Sequence, residues 1–430
     1  MIGTGKCARC DSSERVYASP IPGNLTCDNK SVLTRTHWPA VWTVIAAGVI
    51  AAACVGKLPP AIPLLRQEFG LSLVAAGWVN STFNTLAVTT AVFFGALAGR
   101  YGALRCCGAG LAALILGGLL GAAATGVSLL FASRIIEGAG FIAVAVSAPS
   151  LIAAASAQRE RNLTLGLWST YLPFGASLTM LASPALLGSL GWRGLWLVIV
   201  LMTLASSVAL RRSRGAFGAA RPGTPITAAG MLQALRQPGP WWLALGFGCY
   251  TLIFYAIMVW LPTFLALERG ASVSSAALLT GLVVAVNVCG NLFGTWLVHR
   301  AAPRGQVISI AFLVAAACSC GIFSSTLPDW LRAALCMLLM FAGGTIPAAV
   351  LSGSQVYARN PGQISGIQGL IVQVAQLGPF FGPPLIAAVV ANSGSWDAAR
   401  WVLLAAAILG TLFGQLAVRT ERALARSAAA

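Results

Sequence analysis

The chain has 430 residues, of which 58% are hydrophobic and only 9% charged. A soluble domain carries about 25% charged residues, so this chain cannot cover itself with a polar surface, and the bilayer is its solvent. Its net charge of +17 would suit a nucleic-acid binder if it formed one patch. The basic residues are instead dealt out over alternate loops, where each reads as a solvated, topology-setting charge.

Residues 1–37 read as a polar tail without the apolar core of a signal peptide. The tail carries Cys7, Cys10 and Cys27. A structural zinc site takes four ligands, and only His37 remains to supply the fourth, so neither a metal nor a cofactor is expected. Twelve apolar segments follow, near 38–65, 72–98, 103–124, 127–156, 162–189, 193–210, 240–267, 273–298, 306–326, 330–356, 364–392 and 396–418. A crossing takes about 20 apolar residues, and hydrocarbon offers no partner for bare backbone groups, so each segment must be helical. The third is rich in glycine and alanine, which suits close helix packing in lipid. A linker over 211–239, rich in arginine, glycine and proline, separates a six-helix half at 38–210 from a second at 240–418. It holds one short amphipathic piece near 226–236, and residues 419–430 close the chain as a second tail. The eight cysteines beyond the tail are scattered in or beside helices and read as small apolar residues.

Fifteen arginines fall in one set of loops, from Arg100 and Arg105 to Arg426, against five in the other: Arg66, Arg193, Arg269, Arg332 and Arg400. The positive-inside rule assigns the richer set to the cytoplasm. The basic first tail joins that side, so both termini are expected there.

The two halves resemble one another. Gly70-Leu71-Ser72 recurs as Gly270-Ala271-Ser272, and Arg100 recurs as Arg300, at a constant offset of 200. GWRGLW at 191–196 resembles SWDAARW at 395–401 at an offset of 204. Parallel repeats with a solute bound between them at mid-depth are one transporter plan. GALAGRYGALR at 95–105 looks like the signature of the major facilitator superfamily between spans two and three, with Gly95, Arg100, Gly102 and Arg105 in place and Gly99 where the family has an acidic residue. SRIIEGAGF at 133–141 resembles the family's span-four motif through Arg134, Gly138 and Gly140. Over roughly 38–420 the chain therefore resembles that superfamily, and it is loosely similar to its cyanate-permease-like branch through GKLPPAIP, GLWSTYLPFG and GWRGLW. The resemblance implies an all-α membrane protein of twelve transmembrane helices in two pseudo-symmetric halves, with spans one, four, seven and ten around a central cavity. It also implies that Gly95, Arg100, Gly102 and Arg105 belong to a gate, and that the carboxylate bracing the inward-closed gate is missing at Gly99.

Three ionisable residues remain inside spans: Lys57, Arg134 and Glu137. Each charge costs at least about 2.5–3.5 kcal/mol at mid-bilayer. At 1.5 Å per residue they lie roughly 10–15 Å below the outer face, and Arg134 and Glu137 share one helix face. In one reading Arg134 and Glu137 lock two helices together while Lys57 snorkels outward. In the other, Lys57 and Arg134 present positive charge to an anionic solute and Glu137 carries the coupling proton. Polar and aromatic side chains fill out the candidate cavity: Asn80, Asn84, Trp168, Tyr171, Tyr255, Asn287 and Gln373. Any of these also serves as glue between helices, and Tyr255 would equally suit an interfacial aromatic belt. Pro59, Pro60 and Pro262, with Gly378 and Pro379 in LGPFFGPP, read as gating bends or as helix ends and packing kinks.

No HExxH, GxSxG or GxxxxGK[ST] occurs, so neither an enzyme nor an ATP-driven pump is expected, and no repeated filter loop suggests a channel. The expectation is a secondary transporter of the bacterial inner membrane, monomeric, surrounded by lipid and working by alternating access. It takes up a small anionic solute with a proton; the alternative is proton-driven export of a small metabolite, siderophore or drug.

Overall fold

Helices account for nearly all of the described chain, and no strand occurs among the described residues. The computed structural model describes residues 35–217, 236–324, 326–358 and 361–429. Cys7, Cys10 and Cys27, and the linker piece at 226–235, lie outside the described residues. Among the described residues, ten helices are long and apolar enough to cross a membrane. Two features reconcile this number with twelve crossings. Span two is broken into Leu73–Thr82 and Thr85–Tyr101, each too short alone. Spans five and six run together through Tyr171–Arg212, and the chain reverses at Gly191, where φ is 65° and ψ −176°. A positive φ of that kind is open to glycine and strained for other residues. Contacts on either side show the reversal. Gly175 abuts Val49 and Gly56 abuts Ala176, so span five runs parallel to span one. Arg193 then meets Glu68 and Ser213 meets Thr43, so span six runs back against it.

The internal repeat is visible in backbone geometry. Gly70 and Gly270 each end a helix in the left-handed region at φ 63°. Ser72 and Ser272 each cap the next helix by accepting the backbone N–H three residues on, which satisfies one of the orphan donors at a helix start. The 204 offset has a counterpart too: Trp192 and Trp396 are both buried, and a glycine of positive φ, Gly191 or Gly394, stands one or two residues before each.

Several spans are jointed. Span one consists of Trp38–Gly56 and Leu58–Phe69, and the joint is Lys57, which keeps α-helical dihedrals. Pro59 and Pro60 therefore do not end the span. They occupy the first turn of its second piece, where a missing N–H costs little. Span ten is jointed at Thr345 and span eleven at Gln376, whereas span seven, Pro238–Arg269, passes Pro262 unbroken. The halves meet through spans one and seven, two and eleven, and five and eight.

Candidate solute site

The three intramembrane charges converge. Span four, Val127–Ala155, carries Arg134 and Glu137 one turn apart, and Arg134 Nη1 donates to Glu137 Oε2 at 2.5 Å. The joint in span one delivers Lys57 Nζ to the other carboxylate oxygen, Glu137 Oε1. All three side chains are fully buried. Lys57 therefore does not snorkel, and its ammonium lies 4.4 Å from the centre of the Trp196 ring. Arg134 also donates to the Cys54 carbonyl at 3.0 Å and lies over Phe83 at 4.5 Å. Two cations share one anion, so the cluster carries one positive charge in excess. Arg134 Nε and Nη2 have no hydrogen-bond partner, an arrangement that is costly in a dry interior.

Small residues make room for the cluster. A Cβ on Gly117 of span three would come within 2.7 Å of Glu137 Cγ, and one on Gly121 within 2.7 Å of Trp196 Nε1. On span four, Gly138 admits the Phe83 carbonyl at the break in span two, and Gly110 and Gly140 face each other across spans three and four. Lys57 and Glu137 are thus enclosed by spans one, three, four and six of one half. Arg134 reaches furthest out: it touches Phe83 of span two and lies within electrostatic range of Tyr255 on span seven of the other half.

Around Arg134 lies an aromatic layer. Phe83 meets Phe141 at 5.4 Å, Phe141 meets Tyr171 at 6.3 Å, and Tyr171 stacks on Trp168 at 4.1 Å. From the other half Tyr255 packs on Phe254, and Phe254 on Tyr250. Tyr255 is buried in this layer rather than in an interfacial belt. Asn80 and Asn84 are buried on span two with their Nδ2 groups unpartnered, and the Gln373 Oε1 on span eleven is likewise unpartnered. Asn287 is engaged: its Nδ2 donates to Tyr250 OH and to the Met340 carbonyl, and its Oδ1 accepts from Asn291 Nδ2 at 2.9 Å. It joins spans seven, eight and ten. Phe83 and the Cys54 carbonyl belong to the cluster without having stood out in the sequence, and Trp196 stood out only as the last residue of GWRGLW. The Gly117-Gly118-x-x-Gly121 spacing, which marks a small face on span three, is the further trace of the cluster in the sequence.

The positions read as gating divide by location. At the end away from the basic loops the halves are in contact. Ser81 Oγ donates to the Pro379 carbonyl at 3.3 Å, Trp78 packs edge-on against Phe380 at 5.7 Å, and Gly77 lies against Pro383 and Pro384. Gly378 abuts Thr251, and the Pro383 carbonyl accepts from Trp260 Nε1 at 2.9 Å. At the basic end, Gly95 lies in the second piece of span two, Gly102 turns the chain at φ 91°, and Arg100 and Arg105 are exposed.

A two-fold repeat of six helices, jointed spans and a buried charge cluster beside the junction of the halves define a solute carrier of the alternating-access type. The Major Facilitator Superfamily model matches residues 44–377, and the chain belongs to that family; it is a transporter and not an enzyme. It is 24% identical over 389 residues to the 2-nitroimidazole transporter of Escherichia coli (strain K12), covering 88% of this chain and 96% of that one. It is 23% identical over 413 residues to the hexuronate transporter of Bacillus subtilis (strain 168), covering 90% and 95%. Its fold matches a bacterial homolog of the human lysosomal transporter Spinster, solved in an inward-facing and unoccupied conformation, with TM-score 0.70 at 17% identity over 90% of this chain and 99% of that one.

Proposed function

We propose that this chain is a secondary transporter for a small anionic solute, carboxylates foremost, taken up with a proton by alternating access. The observation that carries the reading is the buried Lys57–Glu137–Arg134 cluster with its excess positive charge and two unused guanidinium donors. Arg134 is the solute's anchor. Asn80 and Asn84 add unpartnered donors on span two, so the site offers donors to an acceptor-rich solute. Trp168, Tyr171 and Tyr255 supply its walls, Gln373 an acceptor, and Asn287 holds the second half's wall in place.

Glu137 carries the proton. While it is ionised, it occupies both Lys57 and Arg134. Protonation of Glu137 frees both cations, and the solute carboxylate then takes the place of the lost counter-charge. Each ligand thereby favours the other, and the coupling is reciprocal by linkage. Alternation works about the joints at Lys57 and Gln376, with Pro59, Pro60, Gly378 and Pro379 gating one side of the site and Gly95, Arg100, Gly102 and Arg105 the other. Pro262 acts as a bend that transmits motion along span seven. The protein acts in the bacterial inner membrane as a monomer, with both termini in the cytoplasm. The hexuronate named for one relative is a sugar acid, which agrees with a carboxylate solute.

The test is flux into proteoliposomes under an imposed pH gradient, with galacturonate, gallate and benzoate set beside neutral 2-nitroimidazole. Gradient-driven accumulation of a carboxylate is expected, lost in Glu137→Gln while solute exchange at equal pH persists. Full accumulation by Glu137→Gln, or flux of the neutral compound alone, overturns the reading.

A further inference from the structure

A second polar feature lies on the other side of the gate contacts, at the end away from the basic loops. A cleft of about 300 Å³ opens between spans one and seven. Its lining is arranged by the repeat. Pro63, Arg66 and Gln67 face Thr263, Ala266 and Leu267, and each pair is separated by the same offset of 200 that relates Gly70 to Gly270. The cleft therefore lies on the pseudo-two-fold axis, the line along which a solute enters when the halves part at this end. Its two sides differ in chemistry: span one contributes a guanidinium and an amide where span seven contributes Ala266 and Leu267.

Arg66 is held for use. Its Nε donates to the Leu71 carbonyl at 3.1 Å, which fixes the head group at the cleft and leaves the two terminal nitrogens. Among the described residues no carboxylate pairs with it. Glu68 is engaged by Arg193 and Trp192, and Asp329 by Arg269 and Arg332; Glu268, next along span seven, does not line the cleft. The Thr263 hydroxyl lines the cleft from span seven, is buried, and has no hydrogen-bond partner. In the sequence Arg66 is one of the five arginines of the sparser set of loops.

We propose that Arg66, Gln67 and Thr263 form an anion-capture site on the entry axis, which receives a solute carboxylate before the central cluster does. The site rests on the anionic-solute reading for its role, but its binding chemistry is tested separately. The reporter is Gln67→Cys in the full-length protein in nanodiscs, with the labelling rate of the otherwise unchanged chain subtracted. The reagents are anionic sulfonatoethyl and cationic trimethylammonioethyl methanethiosulfonate. A single unscreened cation within reach raises the local concentration of an anion and lowers that of a cation by a few-fold each, so the anionic reagent should win by about tenfold relative to free cysteine. Adding Arg66→Gln should bring the ratio to about one; Arg66→Lys, which keeps the charge but not the Leu71 bond, should retain it. Benzoate should protect the thiol and neutral benzamide should not, at ionic strength held constant with chloride. A ratio unaffected by Arg66→Gln, or equal protection by benzoate and benzamide, overturns the site. If the labelling pattern holds but no carboxylate crosses the membrane, the capture site stands and the central reading falls.

Discussion

The charge cluster makes an unequal prediction for its members. Glu137→Gln leaves Lys57 and Arg134 buried side by side with no counter-ion. Removing one partner of a buried pair costs about 3–5 kcal/mol, because the remaining charge is left uncompensated, and here two charges are left. Lys57→Met does the reverse: it removes the excess charge, and Arg134 with Glu137 remains as a neutral pair within one turn. Its cost is the lost contact with Trp196, about 0.5–2 kcal/mol, partly offset by the apolar Met stem filling the same space. At about 2–4 °C per kcal/mol for a unit the size of one six-helix half, Glu137→Gln should lower Tm by on the order of 10 °C, and Lys57→Met by about 5 °C or less.

The double variant is the sharper measurement. If Lys57 is harmful once Glu137 is neutral, then Lys57→Met should recover part of the stability lost in Glu137→Gln. A coupling of about 1–3 kcal/mol is the size expected for directly interacting residues. The assay is thermal unfolding of purified protein in one detergent, followed by tryptophan fluorescence, for the four members of the cycle. Equal losses for the two single variants, or a double variant whose loss is their sum, would refute the shared-carboxylate arrangement.

Two further outcomes follow from the packing. A side chain on Gly138 would overlap the Phe83 carbonyl at the break in span two, so Gly138→Ala should yield no monodisperse peak on size exclusion. Gly108→Ala, on the neighbouring glycine-rich span three and with nothing within 4 Å of the added Cβ, should match or slightly exceed the parent in Tm, since alanine is the better helix former by up to about 1 kcal/mol; failure of both variants alike would mean that glycine content rather than the Phe83 contact matters. Gly77→Val should wedge the halves apart, because a Cβ there already meets Pro384 at 3.0 Å and the Pro383 carbonyl at 3.1 Å. Labelling of a Ser81→Cys reporter by a membrane-impermeant thiol reagent should then rise severalfold, and unchanged labelling would show that this contact does not hold the end closed.

Much of the fold was legible because solvent and periodicity decide it. A chain this apolar must cross the bilayer as helices, and Gly70, Ser72, Gly270 and Ser272 mark helix boundaries by types whose physics is local. The joints were less legible. Pro59 and Pro60 looked like a break, yet a proline in a helix's first turn is tolerated, and the joint lies at Lys57 itself. Span two breaks at Phe83–Asn84, where no proline or glycine stands. The cause is tertiary: the Phe83 carbonyl is packed against Gly138, a residue 55 positions away. The members of the charge cluster could be listed from sequence because a buried charge is expensive. Which of them share a partner could not, since that depends on how spans one and four are rotated about their axes.

The same rotation separates the roles of the two halves. All three intramembrane charges belong to the first half. At the shared offset of 200, Lys57 corresponds to Ile257, and the charges of span ten, Asp329 and Arg332, lie in its first turn, where Asp329 pairs with both Arg332 and Arg269. In place of a charge cluster the second half has the neutral Tyr250–Asn287–Asn291 network. A neutral network keeps its partners whatever the protonation state, whereas the cluster must exchange partners when Glu137 gains a proton. With the proton coupling proposed above, the change would begin in the first half, at a carboxylate whose Oε1 ties span four to span one while its Oε2 holds Arg134. It would reach the second half through Arg134 and the layer around Tyr255. Loss of the Lys57–Glu137 bond would free the span-one joint, and the outer piece of span one that would move with it carries Arg66 and Gln67, which line the entry cleft.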